Sequence, residues 1–136
     1  KTVAVVSEKA NQVQTVWSVG DSPDALLLDP SSNTLYVADY FDSTLRALDA
    51  STGVSKAVLS VPSGPTSLAL DPAAHLLYVA VNGGSNIVAV DVQTNSVAKI
   101  SRLISGSYEI GVNPANHVVY VPTGLDELAY YQGLAN

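Results

Sequence analysis

Ser22-Pro23-Asp24-Ala25-Leu26-Leu27-Leu28-Asp29-Pro30-Ser31-Ser32-Asn33-Thr34-Leu35-Tyr36-Val37-Ala38-Asp39 consists of two short apolar bursts on either side of an Asp-Pro turn. Forty-two residues on, the same pattern returns. Asp29-Pro30 becomes Asp71-Pro72 and then Asn113-Pro114, while Tyr36-Val37 becomes Tyr78-Val79 and then Tyr120-Val121. The next stretch repeats too, Leu45-Arg46-Ala47-Leu48-Asp49 returning as Ile87-Val88-Ala89-Val90-Asp91. A fixed period of this length marks a stack of small supersecondary units, and units built of strands predict a β-propeller.

Four apolar bursts about ten residues apart fill each repeat, the pattern of half-buried antiparallel strands joined by tight turns. The first complete repeat predicts strands over 24–29, 34–39, 44–49 and 54–60, and the second over 66–71, 76–81, 86–91 and 96–101. Asp29-Pro30-Ser31-Ser32-Asn33 and Asp71-Pro72-Ala73-Ala74-His75 supply turn chemistry, a side-chain acceptor followed by the fixed φ of Pro. In the turns that open at Asp49 and Asp91, Gly53 and Asn95 stand where φ > 0 is expected, and the two Asp residues read as turn-capping acceptors. No helix is expected. The fold class is therefore all-β, a propeller with four-stranded antiparallel blades of 42 residues.

The ends are out of phase with the blades. Residues 2–7 stand where a third strand belongs, and the chain closes with first and second strands at 108–113 and 117–122 and a degenerate third near 128–131. The predicted organisation is one propeller segment over 1–136: 1–19 the end of a blade, 20–62 and 63–104 blades, and 105–136 the start of another. About three blades' worth is present. That is fewer than the roughly four to eight of a closed ring, so the expectation is a fragment, or half of a six-bladed ring. Open sheet edges call for another copy of the chain, or the missing blades of a longer one, as partner.

The stretch 22–39, with Ser43-Thr44 and the hairpin Ala47-Leu48-Asp49-Ala50-Ser51-Thr52-Gly53, resembles the YVTN β-propeller repeat, with NHL repeats as near neighbours in pattern. The second copy keeps Gly64-Pro65, Leu77-Tyr78-Val79-Ala80 and Val90-Asp91. The third has Ser107 in place of Pro and Pro122 in place of Ala. The resemblance covers nearly the whole chain and implies cell-surface proteins, periplasmic binding propellers, or lactonase-like and lyase-like enzymes. The 47–53 hairpin is also similar to that of quinoprotein propellers, but the docking Trp of that pattern is missing. The one Trp, Trp17, lies near the N-terminus.

Composition narrows the partners. Six Lys and Arg against twelve Asp and Glu give a net charge of -6, which repels nucleic acid and anionic lipid. No apolar run approaches the roughly 20 residues of a membrane helix. The absence of Cys excludes a disulfide scaffold and thiolate metal sites, and fits an extracellular, cell-surface or periplasmic setting.

Candidate site residues lie on the loops that join second to third strands and one blade to the next, because these diverge while the strands agree. They are Asp21, Asp24, Tyr40, Phe41, Asp42, Thr66, Asn82, Asn86, Tyr108, Glu109 and Asp126. Exposed Tyr40 and Phe41 beside Asp42 would grip a protein or a sugar, and Asp24, Thr66 and Glu109 would start the channel-lining strands. Tyr36, Tyr78 and Tyr120 read as residues packed between blades. His75 and His117 occupy equivalent turns and read as turn residues before metal ligands. No catalytic motif, and no cofactor, is indicated by spacing. The favoured reading is an exported, non-enzymatic binding propeller. Its rival is an enzyme with a divalent metal at the channel mouth, and a quinoprotein-type segment stands third.

Overall fold

The computed structural model describes residues 1–82, 86–102, 108–122 and 129–132. Every regular element among them is a strand. A two-stranded sheet pairs β1 (Thr2–Ser7) with β2 (Gln12–Ser18). The first four-stranded sheet runs β3 (Pro23–Asp29), β4 (Thr34–Asp39), β5 (Thr44–Asp49) and β6 (Ser55–Ser60). The second runs β7 (Pro65–Asp71), β8 (Leu76–Val81), β9 (Asn86–Asp91) and β10 (Ser96–Arg102). Last comes a three-stranded sheet of β11 (Gly111–Asn113), β12 (Val118–Val121) and β13 (Ala129–Gln132). Each pairing is antiparallel between chain neighbours. The strands of the two complete repeats begin and end within a residue of the positions read from the sequence.

The irregularities repeat as well. The last strand of the two-stranded sheet and of both four-stranded sheets skips one residue against its partner, at Gln14, Lys56 and Ala98. The first strand skips one at Asp24 and again at Thr66. A bulge bends and twists the strand that carries it, so its recurrence gives successive sheets the same shape. Lys56 uses its bulge to reach back over the neighbouring turn, donating to Ser32 O at 3.0 Å and Thr34 Oγ1 at 2.8 Å.

Side-chain acceptors close the turns. Asp29 Oδ1 accepts from Ser31 N, Asp71 Oδ1 from Ala73 N and Ala74 N, and Asn113 Oδ1 from Ala115 N, all at 3.0–3.1 Å. Asp49 and Asp91 cap their hairpins in the same way through Ser51 N and Gln93 N. Gly53 (φ 74) and Asn95 (φ 50) take the left-handed conformation predicted for them. So do Asn33, His75 and His117, at φ 49, 56 and 56. The two histidines thus hold the position where the first repeat uses Asn, a residue that enters this region more readily.

Sheet packing follows from the two faces of each strand. The face toward the following sheet carries one tyrosine, one leucine or isoleucine and alanines (Tyr36, Leu45 and Ala47, then Tyr78, Ala80, Ile87 and Ala89). The face toward the preceding sheet carries branched aliphatics (Leu77, Val79, Val88 and Val90, then Val119 and Val121). First strands stand side by side, β3 next to β7 and β7 next to β11. Tyr36 and Tyr78 are 0% and 1% exposed, as read from the sequence, but Tyr120 is 41% exposed. The reason is positional, since no described sheet lies over Tyr120. Leu26 and Leu28 on β3 are likewise about half exposed, because the short β1–β2 sheet covers only the Leu35, Val37 and Leu48 part of that face.

Polar bonds tie the sheets together. Tyr36 Oη donates to Asn95 Oδ1 of the next sheet at 2.9 Å. His117 Nδ1 lies 2.7 Å from Asp71 Oδ2, joining the third sheet to a fully buried carboxylate of the second. Trp17 supplies one further junction: its indole lies so close over Gly53 that a Cβ there would collide with the ring. The Trp absent after Gly53 in sequence is thus matched in space by one from the preceding sheet.

Candidate functional site

Sequence places the loops 20–22, 40–43 and 82 at one end of the sheets, and the structure bonds them into one surface. Tyr40 N donates to Ser22 O at 2.9 Å and Phe41 N to Asp21 O at 3.3 Å, so the connection before β3 lies along the β4–β5 turn. Asp21 N donates to Asp42 Oδ2 at 2.9 Å. Beneath these bonds lies Asp39, fully buried, whose Oδ2 accepts from Arg46 Nε at 2.7 Å. Arg46 Nη2 stands 3.6 Å from Asp42 Oδ2, so one guanidinium serves two carboxylates. Gly20 is required here, because a Cβ would run into both Asp39 and Asp42. Ser22 and Ser43, at the two ends of this unit, hold left-handed φ values of 63 and 53.

Electrostatics follow the packing. Burial pushes the Asp39 carboxyl above its ordinary value against the opposing pull of Arg46. The exposed Asp21 is held below its ordinary value by a hydrogen bond from Lys1, which also forms an ion pair with it.

On the other side of the same turn, the Tyr40 ring packs on Gly64, whose lack of a Cβ makes room for it. Asn82 Nδ2 donates to Tyr40 Oη at 2.8 Å, and Ser63 Oγ donates to Asn82 O. Tyr40, expected to be exposed, is therefore half-buried, as is Asn82. The physical reason is the Gly64 notch in the next connection, which admits the ring. Phe41, unlike Tyr40, points out, 70% exposed, with its ring edge-on to Tyr40 at 5.3 Å and 84°.

Of the candidates read from sequence, Asp21, Tyr40, Phe41, Asp42 and Asn82 thus meet on one surface. Asp24 is exposed at its bulge, and Thr66 at the equivalent bulge donates to Ala80 O at 3.4 Å. Asn86 sits in the ladder opposite Val81 and Arg102. Tyr108 and Glu109 are exposed ahead of β11. Asp126, like Gly83-Gly84, lies outside the described residues. Sequence reading placed Gly20, Ser22, Ser43 and Ser63 on these loops but missed Asp39 and Arg46. The available signal was a break in the repeat: Asp39 and Arg46 stand where the next sheet has Val81 and Val88. Among the described residues, no group of three or more His, Asp or Glu side chains is arranged to hold a metal ion.

No protein-family model matches the chain, and no curated protein matches it. Solved structures do. The β-propeller domain of Cps50 (Swd1) from Myceliophteria thermophila superposes with a TM-score of 0.74 at 17% identity, over 88% of this chain and 38% of that one. Hydrazine synthase of Kuenenia stuttgartiensis gives a TM-score of 0.70 at 21% identity, over 82% of this chain and 32% of that one. At such identities the likeness concerns the fold alone. The four-stranded sheets are blades, and the chain is a partial β-propeller. It spans about a third of the length of these two structures.

Proposed function

We propose that the chain is a binding module, an exported propeller segment of the YVTN or NHL type that presents the 20–22, 40–43 and 82 loop surface to a protein or carbohydrate partner. The observation that carries this reading is the Phe41 tip. A large apolar ring is held out in solvent on a turn fixed by three hydrogen bonds to the neighbouring connection, while the tyrosine beside it is tucked in. An ordered exposed aromatic flanked by carboxylates is the kind of anchor that dominates recognition surfaces. The net charge of -6 adds a preference for cationic or neutral partners over nucleic acid. The resemblance and the Cys-free composition support an extracellular, cell-surface or periplasmic place of action. The open face at Tyr120 supports association with a further blade, from another copy or from a longer chain.

The test is comparative. A glycan array and a photo-crosslinking screen are run with the chain, with Phe41→Ala, and with Val58→Ala as an exposed control elsewhere. Ligands lost in Phe41→Ala and kept in Val58→Ala support the reading; ligands kept by both variants remove it.

A further inference from the structure

The first two complete blades offer an internal comparison. Val81 and Val88 are 1% and 0% exposed, and in the preceding blade the same two positions are Asp39 and Arg46. The scaffold therefore accepts an apolar pair there. Asp39 is fully buried and the Arg46 side chain 26% exposed, and an ion pair with a buried member is seldom worth more to stability than aliphatic groups of similar volume, because desolvation offsets most of the Coulomb attraction. Fold stability is thus a poor reason for Asp39 and Arg46 to replace two valines.

Their surroundings supply a better one. Asp39 fixes Arg46 through Nε, Arg46 attracts Asp42, and Asp42 accepts from the Asp21 amide, so the pair reaches by contact into the turn that bears Phe41. Left-handed serines bracket this unit. Such backbone persists where surrounding contacts over-determine it, often at recognition sites. The next blade keeps the corresponding backbone bond, Asn82 N to Gly64 O at 2.8 Å, but there glycine replaces Ser22 and no ion pair lies beneath.

We infer that Asp39 and Arg46 are positioning residues that pre-organise the Phe41 tip, holding the 20–22 connection against the 40–43 turn so that the ring meets its partner already ordered. Pre-organisation raises affinity by removing an ordering cost at the moment of binding. The inference rests on the reading of this surface as a binding face, yet it is tested without any partner.

The experiment is amide hydrogen exchange on the 136-residue chain and on Asp39→Val/Arg46→Val, which copies the next blade. The double variant is expected to keep its thermal midpoint while the Asp21, Tyr40 and Phe41 amides exchange at least about tenfold faster, with Asn82 unchanged. Unchanged exchange at those three amides overturns the inference. So does a fall in midpoint with faster exchange throughout, which makes the pair an ordinary fold element. Asp42→Asn, which leaves the buried pair intact, gives a second reading: faster exchange confined to the Asp21 end supports the chain of contacts, and no change at Asp21 breaks it. Failure of the Phe41→Ala binding comparison with success here separates a wrong function from a wrong device.

Discussion

Asp29 and Asp39 are both buried carboxylates, and their hydrogen-bond partners leave them on opposite sides of the ordinary value. For Asp29 burial raises the carboxyl, but hydrogen bonds from the Ser32 and Ser31 hydroxyls, at 2.6 and 2.7 Å, outweigh it and hold the group below 3.8. For Asp39 burial prevails over Arg46. The signs of the linkage differ accordingly. Asp29 contributes stability that is present above its unfolded value of 3.8 and is lost as pH falls through its lower folded value. The Asp39 contribution is present below its unfolded value of 3.8 and is lost as pH rises through its higher folded value. Replacing both serines in Ser31→Ala/Ser32→Ala leaves burial to act on Asp29 with backbone donors alone. The variant should therefore lose less stability than wild type on acidification between about pH 5 and pH 3, as followed by thermal unfolding. Parallel profiles for the two proteins would remove the hydroxyls from the account.

The turns between first and second strands show how an element solves one problem in two ways. In the first complete blade the second oxygen of the buried Asp is satisfied within its own turn, by Ser32 Oγ. The equivalent residue in the next blade is Ala74, which has no hydroxyl, and there His117 arrives from the third sheet instead. A local bond has become a junction between sheets. His117→Ala should strip the fully buried Asp71 oxygen of its partner and destabilise the chain by about 1–3 kcal/mol, the range for an orphaned buried acceptor. Ala74→Ser in that background should recover most of the loss by restoring the local hydroxyl. Denaturant midpoints of the four proteins in this cycle decide it, and no recovery in the double variant would refute the equivalence. These elements were legible beforehand as strands and turns, because apolar alternation and Asp-Pro signals are local. The histidine's partner was not, because it comes from another sheet.

Across the whole molecule the packing of successive sheets leaves two apolar surfaces without a described neighbour: Leu26 with Leu28, and Tyr120. They are complementary in position, one on the face that meets a preceding sheet and one on the face that meets a following sheet. Exposed apolar sheet faces of this sort associate. The purified 136-residue chain is expected to self-associate, and Tyr120→Lys with Leu26→Lys should shift it toward monomer. Light scattering across a concentration series measures this, and a concentration-independent monomer of 14.1 kDa contradicts it. The amino-acid sequence by itself determined the repeat, the strand positions, the turn acceptors and the left-handed Gly53 and Asn95, because each depends on residues a few positions apart. Only the tertiary structure decided that Tyr40 turns inward on Gly64, that Asp39 and Arg46 lie under the tip, and that Trp17 covers Gly53. Tyr40 on Gly64 and Trp17 on Gly53 join loops or strands brought together by the stacking of blades, whereas Asp39 and Arg46 meet across one hairpin and showed in the sequence only as a departure from its own repeat.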